Sequence, residues 1–100
     1  MRTIKFKVHQ QRIKNIDSVS FVYGGTDNYL QLKFEFGSDW DGCYKAISFI
    51  SENEIAALLK DDCVLVPAEA FYNGKLSFYL VGKKKDYRIQ TQQFDIKLGG

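Results

Sequence analysis

The feature that most constrains this chain is a run of strict alternation, in which Leu30, Leu32, Phe34 and Phe36 are separated by Gln31, Lys33 and Glu35. Side chains of an extended backbone point to opposite faces with a period of two. Such a segment can bury one face and wet the other only as a β-strand; at helical spacing its apolar groups would scatter around the axis. Ile4, Phe6 and Val8 repeat the pattern against Thr3, Lys5 and Lys7, and Val19, Phe21 and Tyr23 form a shorter set. Between this last set and the Leu30 to Phe36 strand lies Gly24-Gly25-Thr26-Asp27-Asn28, rich in residues that accept positive φ or bond their own backbone, which reads as a hairpin loop.

The alternation resumes at Tyr44 to Ile50, Cys63 to Val66, Lys75 to Val81 and Tyr87 to Leu98. In the last segment Ile89 and Thr91 share one parity, while Phe94, Ile96 and Leu98 share the other. An odd offset inside one strand requires an extra residue, so a bulge is expected within Thr91-Gln92-Gln93. Ser51-Glu52-Asn53-Glu54 carries the S-x-x-E pattern of a capped helix ahead of Ile55-Ala56-Ala57-Leu58-Leu59-Lys60. A helix that short depends on tertiary packing, and strand-like segments flank it closely. The expectation is a turn at Ser51 to Glu54 and a strand from Ile55 to Lys60. Pro67-Ala68-Glu69-Ala70-Phe71 reads as one helical turn headed by proline, and Asn73-Gly74 as its end or a tight turn. About seven or eight short strands at this spacing make one domain over residues 1–100: all-β, an antiparallel, immunoglobulin-like sandwich.

Bulk properties narrow the function classes. With 14 Lys+Arg against 12 Asp+Glu the formal charge is +2, too small to be the electrostatic footprint of a nucleic-acid binder. The basic run Lys83-Lys84-Lys85 reads as a turn. Lysines and aromatics interleave at Lys5-Phe6-Lys7 and Lys33-Phe34, but the rings lie on the apolar parity, where they pack inward and do not stack on bases. The longest apolar stretches, such as Ile55 to Leu59, fall far short of the ~18–20 residues a membrane helix needs. Met1-Arg2-Thr3-Ile4-Lys5 lacks the continuous apolar run of a secretory signal, which implies cytoplasmic synthesis.

No catalytic constellation is legible, so the chain reads as a non-enzyme without cofactor. The single histidine, His9, lies on the polar parity of the first strand, and G-x-S-x-G, H-E-x-x-H and phosphate-loop motifs are missing. Asp39-Trp40-Asp41-Gly42 has the opening of a calcium loop, but Ile50 stands where the closing glutamate belongs. No metal is therefore expected; the segment reads as a tight loop with Asp side chains bonding backbone and Trp40 over one end of the core. Cys43 and Cys63 lack metal-ligand spacing and read as two reduced, mostly buried thiols, with a disulfide between adjacent strands as the alternative. Tyr23, Tyr29, Tyr44, Tyr72, Tyr79 and Tyr87, with Trp40, are either cross-strand packing partners or stacking platforms for sugars.

From Leu32 onward the chain resembles a small β-sandwich module of tail and baseplate proteins from phages and prophages of Gram-positive bacteria. It is similar in length and strand pattern to the N-terminal domain of upper baseplate proteins of phages of lactic-acid bacteria. The resemblance is carried by Phe34-x-Phe36-x-Ser38-x-Trp40-Asp41-Gly42, Lys45, Phe49, Leu58-Leu59, Asp61, Cys63, Val66-Pro67-x-Glu69, Val81-Gly82 and Ile89-x-Thr91. It covers about two thirds of the chain, with Cys43 and Ala68 as departures. What it implies is a virion structural role: assembly in the host cytoplasm, then a place in the tail, docked to other tail or baseplate subunits. The alternative is a carbohydrate-binding module used in host adsorption.

Open sheet edges say where docking is expected. Thr3 to Val8 carries Lys5 and Lys7 on its polar parity, which reads as protection of an edge. The final strand carries Arg88, Gln90, Gln92 and Gln93 around its bulge, side chains that hydrogen-bond with little desolvation penalty. Tyr87, Arg88, Gln90, Gln92 and Gln93 are therefore the candidate interaction residues, for another tail subunit or a second copy of the chain.

Overall fold

The protein is described by a computed structural model that covers residues 1–17, the backbone of 21–22, and residues 29–99. Two β-sheets pack face to face, so the all-β sandwich read from the sequence is the fold. Among the described residues there are eleven strands, more than the seven or eight expected, because short segments without clear alternation also pair. The four-stranded sheet runs β2 (Arg12–Asn15), β1 (Arg2–His9), β4 (Leu30–Phe36), β7 (Cys63–Leu65). The larger sheet runs β3 (Phe21–Val22), β11 (Phe94–Leu98), β9 (Lys75–Lys84), β5 (Tyr44–Phe49), β6 (Ile55–Leu58), with β8 (Phe71–Tyr72) and β10 (Tyr87–Gln90) also paired to β9.

The sandwich is not wholly antiparallel. β1 pairs with β4 in parallel, Arg2 opposite Leu30 through Val8 opposite Phe36, and β3 runs parallel to β11. The tight hairpin to β2 occupies one side of β1, so β4 comes in on the other side and with the same direction. The lysines of β1 therefore do not guard an edge, since β1 is interior to its sheet. Lys5 and Lys7 point off the outer face, where an interior strand tolerates charge as readily as an edge strand does. Of the set Val19, Phe21 and Tyr23, only the 21–22 backbone is described; the expected Gly24 to Asn28 loop lies outside the described residues.

The apolar parities meet as predicted. Phe6 and Phe34 from one sheet pack on Phe78 and Phe94 from the other, with ring centroids 5.3–5.9 Å apart and mostly edge-to-face. The contested segment is a strand, β6, preceded by bends at Ser51 to Asn53. The turn after Pro67 is a 3-10 helix over Ala68–Ala70. Asn73 and Gly74 both take positive φ, 55° and 77°, which suits a two-residue turn joining β8 to β9. Of the basic run, Lys83 and Lys84 end β9 and only Lys85, at φ 39°, is in the turn.

The bulge falls where the parity shift requires it. Gln90 lies opposite Val81 and Phe94 opposite Phe78, so three residues, Thr91 to Gln93, face only two, Tyr79 and Leu80. Thr91 anchors the irregularity: its N–H donates to Leu80 O and its hydroxyl accepts the Leu80 N–H, both at 2.9 Å.

Candidate functional site

The Trp40 loop sets the geometry of one end of the sandwich. A 3-10 turn over Ser38–Trp40 points the indole inward, where its exposure is 0% and its ring lies 5.0 Å from Phe36. Gly82 on β9 makes room for it: a Cβ there would stand 2.7 Å from Trp40 Cε3. The indole N–H donates to Gln10 O at 2.8 Å, fixing the β1–β2 turn. The loop's backbone carbonyls, not its carboxylates, take the external bonds: Lys84 Nζ donates to Asp41 O and the Tyr87 hydroxyl to Asp39 O. Expectation and structure differ here because the 3-10 turn directs those carbonyls toward the β9–β10 hairpin.

The fixed β1–β2 turn reaches the predicted interaction residues. Gln92 N–H donates to Gln11 O at 3.0 Å, and Gln11 Nε2 donates to Gln90 O at 3.1 Å. One glutamine thus satisfies outward backbone groups of the bulged strand, much as a neighbouring strand would. Of the predicted side chains, those of Tyr87, Arg88, Gln90 and Gln93 are engaged within the chain as well. Arg88 Nη2 donates to Gln90 Oε1 at 2.8 Å, and Gln93 Nε2 donates to Asp95 Oδ1 at 3.0 Å, the main cause holding that carboxyl below its usual range. Tyr87 is 38% exposed, with its phenol pushed up by desolvation and then by the Asp39 charge. β11 is not an edge either, being flanked by β3 and β9. An open polar depression of about 510 Å³ remains, lined by Gln10, Gln11, Asp39, Tyr87, Arg88, Ile89 and Gln90.

The other flank of the sandwich is different. β6 ends one sheet and β7 the other, and the chain passes between them through Asp61 and Asp62, both at positive φ. Leu59 N–H donates to Lys45 O, so in the alternating ladder Leu59, Ala57 and Ile55 face β5 while Ala56 and Leu58 direct N–H and C=O outward. Side chains there are apolar and exposed: Leu58 at 77% and Tyr44 on β5 at 83%. A groove of about 500 Å³ runs from Leu58 past Asp61 and Cys63 to Leu65 and Gln31, and a smaller one of about 220 Å³ continues past Tyr44 and Cys43. Cys43 and Cys63 are free thiols, half-buried in these walls and less enclosed than expected, because Cys63 opens the terminal strand β7 and Cys43 lies in the loop just ahead of β5. Lys45 bridges to Asp62 at 3.3 Å and lies over the Phe36 ring, which fixes the β6–β7 crossing.

Sequence reading missed this flank, although a signal was present. On β6 both parities are apolar, so an outward leucine was legible; that β6 has no outer neighbour among the described residues depends on long-range pairing, which periodicity does not carry.

A polar cluster around Glu54 sits on the outer face of the larger sheet. Glu54 accepts hydrogen bonds from the hydroxyls of Ser48, at 2.6 Å, and Tyr79. The Ser48 bond first, then that of Tyr79, hold its carboxyl below the ordinary value of 4.5, which makes it a poor base. The cluster joins β5, β6 and β9 and contains no histidine; His9 is on β1, in the other sheet. Among the described residues no three His, Cys, Asp or Glu side chains converge as metal ligands would, and no helix is long and apolar enough to cross a membrane.

Comparison with protein-family models, curated proteins and solved structures finds no match.

Proposed function

We propose that the chain is a non-enzymatic docking module, the immunoglobulin-like sandwich of a phage or prophage tail or baseplate, assembled in the host cytoplasm and carried in the virion tail. The observation that carries the docking part is the β6–β7 flank, where outward backbone groups and exposed apolar side chains adjoin one groove. Soluble proteins charge or cover such edges, and an uncovered one is a template for another chain. The tail context rests on the sequence resemblance. Its support within the fold is that Trp40, Phe34, Phe49 and Val66, which carry the resemblance, are core residues, as a scaffold signature would be.

The test is association with the products of the genes adjacent to its own, followed by light scattering. A stable complex that Leu58→Lys disrupts, while Gln90→Lys with Gln92→Lys leaves it intact, places the contact on the β6–β7 flank. The reverse pattern places it at Tyr87 to Gln93.

A second reading, glycan binding, is favoured by one observation. The depression beside Tyr87 combines an exposed ring with amides, a guanidinium and the Asp39 carboxylate, groups suited to hydroxyl-rich ligands. Saturable NMR shifts at Tyr87, Arg88 and Gln90 on titration with host cell-wall polysaccharide, without any subunit complex, would put this reading first.

A further inference from the structure

The free edge of β6 is self-complementary, and we infer that it pairs with β6 of a second copy, antiparallel about a two-fold axis at Ala57. This rests on the docking reading and names one partner for the same edge. Ala56 and Leu58 are the two β6 residues whose backbone groups face away from β5. With Ala57 opposite its own copy, Ala56 meets Leu58 of the second copy and Leu58 meets Ala56. Each of these two pairs exchanges both of its N–H···O bonds, the narrow pair of an antiparallel ladder.

The charges select this register. Glu54, Ala56, Leu58 and Lys60 share the outward parity of the strand. Centring at Ala57 sets Glu54 opposite Lys60 of the other copy, twice by symmetry, with the apolar pairs between them. Centring at Ala56 keeps the same outward residues on the ladder but sets Glu54 opposite Leu58, and centring at Leu58 sets Ala56 opposite Lys60, so neither brings Glu54 to Lys60. Nothing on β6 itself opposes pairing, since Ile55-Ala56-Ala57-Leu58 has neither charge nor proline. A four-residue ladder is small against the ~800 Å² per partner of a standard interface, so the dimer is weak and concentration-dependent.

The experiment is sedimentation velocity on the full chain from micromolar to millimolar concentration. The expected result is a weight-average mass rising from 11.5 kDa toward twice that value. Ala56→Pro removes an outward N–H that the monomer does not use, and should hold the mass at the single-chain value while circular dichroism stays unchanged. Leu58→Lys, a solvent-directed change, does the same should proline disturb the fold. Lys60→Glu sets like charges face to face and should weaken association several-fold, more so at low salt. A mass fixed at one chain throughout overturns the self-pairing, as does a dimer that both Ala56→Pro and Leu58→Lys leave intact. The docking reading fails separately, when neighbouring gene products do not bind the chain either.

Discussion

The two flanks of this sandwich solve the edge problem in opposite ways. On the β10 side the chain supplies its own neighbour: Trp40 holds the β1–β2 turn, and that turn lends Gln11 to the backbone of Gln90 and Gln92. On the β6–β7 side no described segment plays that part, and Leu58 and Tyr44 stand in solvent beside unpaired ladder positions. A polar, amide-rich strand looks sociable in sequence, but the Gln90 and Gln93 side chains and the Gln90 and Gln92 backbone groups are bonded within the chain. An alanine-leucine strand looks like core, but half of it faces out.

The largest expected effect is at the closed flank. Trp40→Ala removes a fully buried ring and the N–H that fixes Gln10, and should destabilise by about 3–5 kcal/mol in denaturant unfolding. A loss below ~1 kcal/mol, typical of a surface change, would mean the closed flank is not built on this residue. Gly82→Ala comes next. Its methyl would stand 2.7–2.8 Å from two carbons of a ring with no room to retreat, so about 1–3 kcal/mol is expected from overpacking. Wild-type stability in that variant would show the Trp40 pocket to be loose.

The sequence made some of this legible. Parity alone located the core residues of β4, and the phase change between Ile89 and Phe94 located the bulge, because both are local consequences of a two-residue period. The Asn73-Gly74 turn was legible from residues that tolerate positive φ. What parity could not carry was adjacency. Lys5 and Lys7 look the same on an interior strand as on an edge, and the β1–β4 pairing joins segments far apart in the chain. The closing role of Gln11 was equally hidden, since it depends on an indole thirty positions away reaching Gln10 O.

Smaller effects sharpen the contrast. Gln11→Ala deletes one side-chain bond to Gln90 O and should cost about 0.5–1.5 kcal/mol, while speeding hydrogen exchange at the bulge. Equal exchange in the variant would show that the main-chain bond from Gln92 suffices. At the open flank, Glu54 ties β6 to β5 and β9 through Ser48 and Tyr79, and its pKa is lowered by those bonds. A carboxyl depressed in the folded state lends stability above its unfolded pKa, near 4.5, and loses it as pH falls through the lower folded value. The urea midpoint of the wild type should therefore drop with acidification more than that of Glu54→Gln. Because Glu54 is exposed, the difference is small, and parallel pH profiles would remove the carboxylate's part in holding β6.

The difference between the flanks is read most directly by residue-resolved amide hydrogen exchange, in the isolated chain at micromolar concentration and again in its assembled state, with a neighbouring tail subunit or at a concentration where it self-associates. The account predicts that Gln92 is protected already in isolation by its bond to Gln11 O, whereas Ala56 and Leu58 exchange freely and become protected only on assembly. Protection at Ala56 and Leu58 in the isolated chain, or assembly that slows exchange around Tyr87 to Gln93 and leaves β6 unchanged, would contradict it.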